Sequence, residues 1–113
     1  MHQPNKSEVL LLHAQICQAL ADPIRILLLY QLVESPKSVN ELATLLNLRQ
    51  PTVSRHLKVL RERGMAKTER IGTMVMYSLA DHRVIEALDL MRAVLVDNLM
   101  QQSVLAEMLT TAA

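Results

Sequence analysis

Gln50, Thr52, Ser54, Arg55 and Lys58 form the cluster in this chain whose chemistry follows most directly from residue type and spacing. At about 100° per residue, Val53, Leu57 and Leu60 fall within about 60° of one another on a helix and must face a core. The polar cluster is left on and beside the opposite face, towards the helix N-terminus. Amides and hydroxyls in that position can hydrogen-bond base edges. An arginine such as Arg55 can bridge O6 and N7 of a guanine, and a lysine can neutralise a phosphate. Chemistry of other kinds is poorly provided for. No Ser or Cys nucleophile accompanies a His and a carboxylate, no pair of acids is set for proton transfer, and two glycines cannot build a Gly-rich phosphate loop. An enzyme is not expected.

The charge distribution points the same way. The formal net charge is only +1, but Arg49, Arg55, Lys58, Arg61, Arg63, Lys67 and Arg70 face only Glu62 and Glu69 within 49–70. The rest of the chain carries five basic and nine acidic residues. A basic footprint on a mildly acidic body suits a protein that neutralises phosphates with one face. The alternative kept open at this level is a module whose basic face serves an acidic protein partner.

The elements that must position this cluster can be read outward from it. The helix begins near Gln50 or Pro51 and ends at Gly64, a residue suited to the left-handed position beyond a helix end. Before it, Ser38 and Glu41 have capping-box spacing and start a third helix with Leu42, Ala43, Leu45 and Leu46 inside, closed near Asn47. Asp22-Pro23 starts a second, central helix running to about Val33. Ser7 is placed to cap a first helix running to about Ala21, on which Val9, Leu12, Ile16 and Leu20 form a stripe. Downstream, 65–70 and 74–79 alternate as a β-hairpin across Ile71-Gly72-Thr73, with Lys67 and Arg70 near its tip. Asp81 can then cap a long last helix whose seam includes Ile85, Leu88, Met91, Leu95 and Leu99, with 110–113 frayed.

The expected fold is therefore mainly α with a small β-hairpin, a winged helix-turn-helix with four helices before the hairpin and one after. It is read as one domain over 1–113, with the helix-turn-helix at 38–64, the wing at 65–79 and the flanking helices at 7–21 and 81–109. Those flanking helices are more apolar than one small core needs, which predicts dimerisation through Leu12, Ile16, Leu88, Met91, Leu95 and Leu99. With no Trp or Phe and only Tyr30 and Tyr77 aromatic, the core must be aliphatic, and the seven methionines read as filling rather than a copper site. No apolar run approaches the roughly 20 residues of a membrane span. The start lacks the basic-then-apolar order of a signal peptide and Cys17 is alone, so a cytoplasmic protein is expected.

The segments LADPIR (20–25), SVNELA (38–43) and above all QPTVSRHLKVL (50–60) followed by Gly64 resemble the ArsR/SmtB family of small, dimeric, winged helix-turn-helix repressors. The resemblance covers roughly 9–95. It implies a homodimer joined by its first and last helices, bound to an imperfect palindrome in double-stranded operator DNA and released by an effector. Arg49 stands where the family often has a capping Ser and is assigned to phosphate contact. His56, at the edge of the recognition helix, is assigned to DNA contact or packing. One family metal site uses paired Cys in the third helix, where this chain has Ala43 and Leu45. Another uses ligands at positions held here by Asp81, Arg83, Val94 and Asp97, of which two cannot ligate. Neither site is expected, no cofactor is predicted, and the effector is left unidentified. His13 and Cys17, four residues apart, retain ligand-compatible spacing, although a thiol buried at the dimer contact beside an exposed or packed imidazole is the plainer reading, as it is against oxidation of two symmetry-related Cys17 thiols. His82 is read as a solvated polar group at a helix start.

Overall fold

The computed structural model describes residues 2–111. The chain divides at the His82–Arg83 junction into two units, the second being the last helix.

In the first unit, helix α1 (Lys6–Leu20) opens with Asn5, whose Oδ1 accepts the Glu8 N–H at 2.8 Å. Ser7, expected to cap, lies inside the first turn instead; Asn is as good a cap and stands three residues before that donor. The helix is α-helical over Lys6–Leu12 and Gln18–Leu20 but π-helical over His13–Cys17, where the Gln18 N–H reaches back to the His13 carbonyl. Helix α2 (Pro23–Glu34) has the Asp22 side chain as its cap and Pro23 in its first turn. It sends Leu28, Leu29 and Leu32 into the core. Its C-terminal end is closed by Lys37, whose Nζ donates to the Gln31 carbonyl at 2.7 Å and lies 3.7 Å from Glu34. A cation there satisfies a free carbonyl and complements the helix dipole.

Lys37 also begins a strand absent from the sequence expectation. Strand β1 (Lys37–Ser38) pairs antiparallel with β3 (Met74–Leu79), which pairs with β2 (Ala66–Ile71), giving a three-stranded sheet in the order β1-β3-β2. Helix α3 (Val39–Leu46) starts from the capping box: Ser38 Oγ accepts the Glu41 N–H and Glu41 Oε1 accepts the Ser38 N–H, each at 3.2 Å. Leu42 is fully buried, but Leu45, expected inside, is 56% exposed. Asn47 closes the helix in the left-handed region at φ 54°, and the Leu48 N–H returns to the Ala43 carbonyl at 2.9 Å. That turn delivers the chain to helix α4 (Gln50–Glu62). Its end is set by Gly64 at φ 77°, behind which the Met65 N–H bonds the Leu60 carbonyl at 2.9 Å. An L side chain at Gly64 would meet no neighbour, so backbone conformation alone is what favours glycine there.

Leu28, Leu29, Leu42, Val53, Leu57, Leu60 and Met65 are the largest fully buried side chains, an aliphatic core. Burying each of the leucines stabilises the fold by roughly 1.5–3 kcal/mol relative to exposure.

The second unit is helix α5 (Arg83–Thr111), 29 residues and about 44 Å long. It begins two residues beyond Asp81. Instead of fraying, Thr110 and Thr111 remain helical, their hydroxyls donating to the carbonyls of Ala106 and Glu107 at 2.8 and 3.0 Å. Residues 112–113 lie outside the described residues. Among those described, no single helix is long and apolar enough to cross a membrane.

Candidate nucleic-acid interface

Helix α4 separates its two faces cleanly. Val53, Leu57 and Leu60 have no exposed surface, whereas Gln50, Ser54 and Lys58, at successive four-residue steps, are exposed together with Arg55. Thr52 is half-buried at the margin of this face. Arg49 occupies the N-cap position, makes no side-chain cap and is exposed. The first N–H groups of α4 therefore lack a side-chain acceptor from the N-cap, and the positive end of the helix dipole lies beside the polar cluster. Arg49, Arg55 and Lys58 have no ion-pair partner among the described residues, so their charges are not neutralised within the chain.

His56 does not belong to this face. It is 8% exposed, and its Nδ1 lies 3.1 Å from a terminal nitrogen of Arg25. Of the two roles assigned to it, packing is the one the fold leaves room for, because its position falls on the inner edge of the α4 stripe.

The wing places its cations differently from expectation. Arg70 pairs with Val75, next to the closing Ile71–Met74 pair and the two-residue Gly72-Thr73 loop. Lys67 pairs with Ser78, one step from the base, so it is not near the tip. Three residues apart on a strand, Lys67 and Arg70 are separated by about 10 Å and point to opposite faces. Arg70 shares the sheet face whose base is buried through Ala66, Tyr77 and Leu79. Lys67 shares a groove with Glu34, Glu69 and His82. The wing tip itself is apolar, with Ile71 and Met74 more than half exposed.

The remaining sequence candidates lie away from this surface. Leu12, Met91, Leu95 and Leu99 are all more than half exposed, and Ile16 is half-buried. Leu88, also assigned to the seam, is 5% exposed. His13 and Cys17 bound the π-helical stretch, whose wider turn removes the α-helical stacking assumed for two ligands four apart. Both are exposed in the single chain, so burial of the thiol is left to the dimer contact assigned to it. Among the described residues, no three His, Cys, Asp or Glu side chains gather in a way that could hold a metal ion. Nothing in the sequence pattern singled out Arg25 or Arg63 as contacts to α1, the first to the Ala19 carbonyl nearby in the chain and the second to the distant Gln15.

Two helices joined by a tight turn, the second carrying an exposed polar face and followed by a hairpin, define a winged helix-turn-helix protein. Residues 22–68 match the family model for bacterial regulatory proteins of the arsR family. The chain is 43% identical over 81 residues to the HTH-type transcriptional repressor SmtB of Mycobacterium tuberculosis, covering 72% of this chain and 60% of that relative. It is also similar to the crystal structure of Rv0081 from M. tuberculosis, with a TM-score of 0.75 and 33% identity over 88% of this chain and 98% of that one. The homodimeric winged helix-turn-helix DNA-binding domain solved from Mycobacterium bovis gives a TM-score of 0.72 at 27% identity, covering 88% and 94%. The chain belongs to the arsR family of bacterial regulatory proteins.

Proposed function

We propose that this protein is a homodimeric, sequence-specific transcriptional repressor that binds operator DNA in the cytoplasm and is released by an effector. The observation that carries the reading is the α4 face, on which Gln50, Ser54, Arg55 and Lys58 are exposed and uncommitted opposite a fully buried stripe. In this role α4 enters the major groove, where Gln50, Ser54 and Arg55 read base edges. Arg49, Thr52 and Lys58 hold the flanking phosphates, and Arg70 reaches the backbone from the wing. The names of the SmtB relative, a repressor, and of the M. bovis domain, homodimeric and DNA-binding, support the assignment. Dimerisation is assigned to the exposed apolar residues of α1 and α5, among them Leu12, Met91, Leu95 and Leu99. The effector does not bind through third-helix thiolates, since Ala43 and Leu45 occupy those positions.

The test is binding to DNA from upstream of the protein's own gene, titrated with salt. Arg55→Ala combined with Lys58→Ala is expected to weaken binding by about 100-fold and, since only Lys58 is assigned to a phosphate, to lower the slope of log K against log salt by about one. A wild-type protein without DNA affinity, or a double variant that binds like wild type, rejects the assignment. A stable complex with an acidic protein and only nonspecific DNA affinity would support an interaction module instead.

A further inference from the structure

Arg25 reaches three acceptors from the first turn of α2. Its Nε donates to the Ala19 carbonyl at 2.6 Å and one terminal nitrogen donates to the Gln18 carbonyl at 3.2 Å. The other terminal nitrogen lies 3.1 Å from Nδ1 of His56. Gln18 and Ala19 lie in the last turn of α1, where the dipole is negative; the Gln18 carbonyl also accepts the Ala21 N–H at 3.2 Å, and the guanidinium, bonded to both carbonyls, closes that helix end. A guanidinium offers no acceptor. His56 must therefore present a lone pair at Nδ1 and carry its ring proton on Nε2. The fork is planar and its donors are fixed relative to one another, so seating two of them on α1 dictates where the third points. What it points at is the buried side of α4, one residue after Arg55.

A second tie reinforces the first. Arg63, just past the C-terminal end of α4, donates to Gln15 Oε1 at 2.6 Å, and Gln15 lies in the π-helical stretch of α1. Two ties from one helix, to the middle and to the end of another, restrain both the roll and the tilt of α4.

We propose that Arg25 is a positioning residue for the recognition helix. It transfers the placement of the last turn of α1 through His56 to the Arg55 and Lys58 face, so that a displacement of α1 turns the DNA-reading surface. This rests on the DNA-binding function proposed above.

The test uses the full chain and the same upstream DNA, comparing wild type with Arg25→Gln, Arg25→Lys, His56→Leu and His56→Gln in a salt titration. Arg25→Gln and His56→Leu are expected to weaken binding by about tenfold, the scale of losing a charged hydrogen bond. The salt slope should stay at the wild-type value, because neither group touches a phosphate. His56→Gln, whose amide oxygen can accept from Arg25, should recover most of the loss. Nitrogen-15 NMR of the wild type should report His56 Nδ1 as the unprotonated acceptor, with its resonance shifted in Arg25→Lys. Wild-type affinity in the Arg25 and His56 variants would overturn the proposal while leaving the DNA-binding function intact. A salt slope lowered by about one in Arg25→Gln would also overturn it, by making Arg25 a phosphate contact. If His56→Leu does not fold, His56→Gln and Arg25→Lys decide the matter on the same two readouts. A wild-type protein that ignores DNA sinks both this proposal and the function beneath it.

Discussion

Helices α4 and α5 both carry apolar side chains at helical spacing, yet the fold uses them in opposite ways. In α4 the apolar stripe is spent within the chain: Val53, Leu57 and Leu60 are wholly buried, and what remains outside is polar or cationic. In α5, Leu90, Leu95, Leu99 and Met108 remain more than half exposed along much of its length. A surface of unneutralised cations and hydrogen-bonding groups suits a polyanion. A long run of exposed leucine and methionine is costly to leave in water and suits another apolar surface. The two helices therefore divide the labour by the kind of surface each leaves unfinished.

The largest effect expected from this contrast is on stability. Leu57→Ala removes a fully buried side chain from α4 and should cost about 2–5 kcal/mol in denaturant unfolding. A loss below about 1 kcal/mol would mean that the stripe is not closed within the chain. The complementary change in α5 should leave the first unit folded and act on assembly. Leu95→Glu with Leu99→Glu introduces two charges into the exposed apolar run and should weaken self-association by about 100-fold in sedimentation equilibrium, with the far-UV spectrum retained. If the variant self-associates like wild type, the exposed face of α5 is not the one that dimerises.

Much of this contrast was legible in the residues themselves, because its causes are local. The Ser38–Glu41 capping box, the Asp22-Pro23 start, the left-handed Asn47 and Gly64, and the buried stripe of α4 each follow from neighbours a few residues apart. The misreadings share a different cause. Strand β1 is two residues long, too short to show a period, and exists through pairing with Met76 and Tyr77 far along the chain. The π-helical stretch of α1 has no residue-type signature. His56 looked like a margin of the DNA-reading face because its partner, Arg25, lies 31 residues away.

The smallest effect concerns the wing, where two cations of one strand stand in different surroundings. Spacing alone treated Lys67 and Arg70 as equivalent phosphate ligands, but strand alternation puts them on opposite faces, and the register puts only Arg70 beside the tip. Lys67 lines a groove with Glu34 and Glu69, carboxylates that make the surface around it less attractive to a phosphate although neither is ion-paired with it. Arg70 pairs across the strands with the uncharged Val75 and has no ion-pair partner among the described residues. Arg70→Ala should therefore weaken operator binding by roughly three- to tenfold and lower the salt slope by about one, whereas Lys67→Ala should change affinity by less than about twofold and leave the slope alone. Equal losses from the two substitutions would mean that DNA draws the wing into a different pose, in which both faces of β2 meet phosphate. A larger loss from Lys67→Ala would place the nucleic acid on the groove side of the sheet, and the wing contact would have to be reassigned to that face.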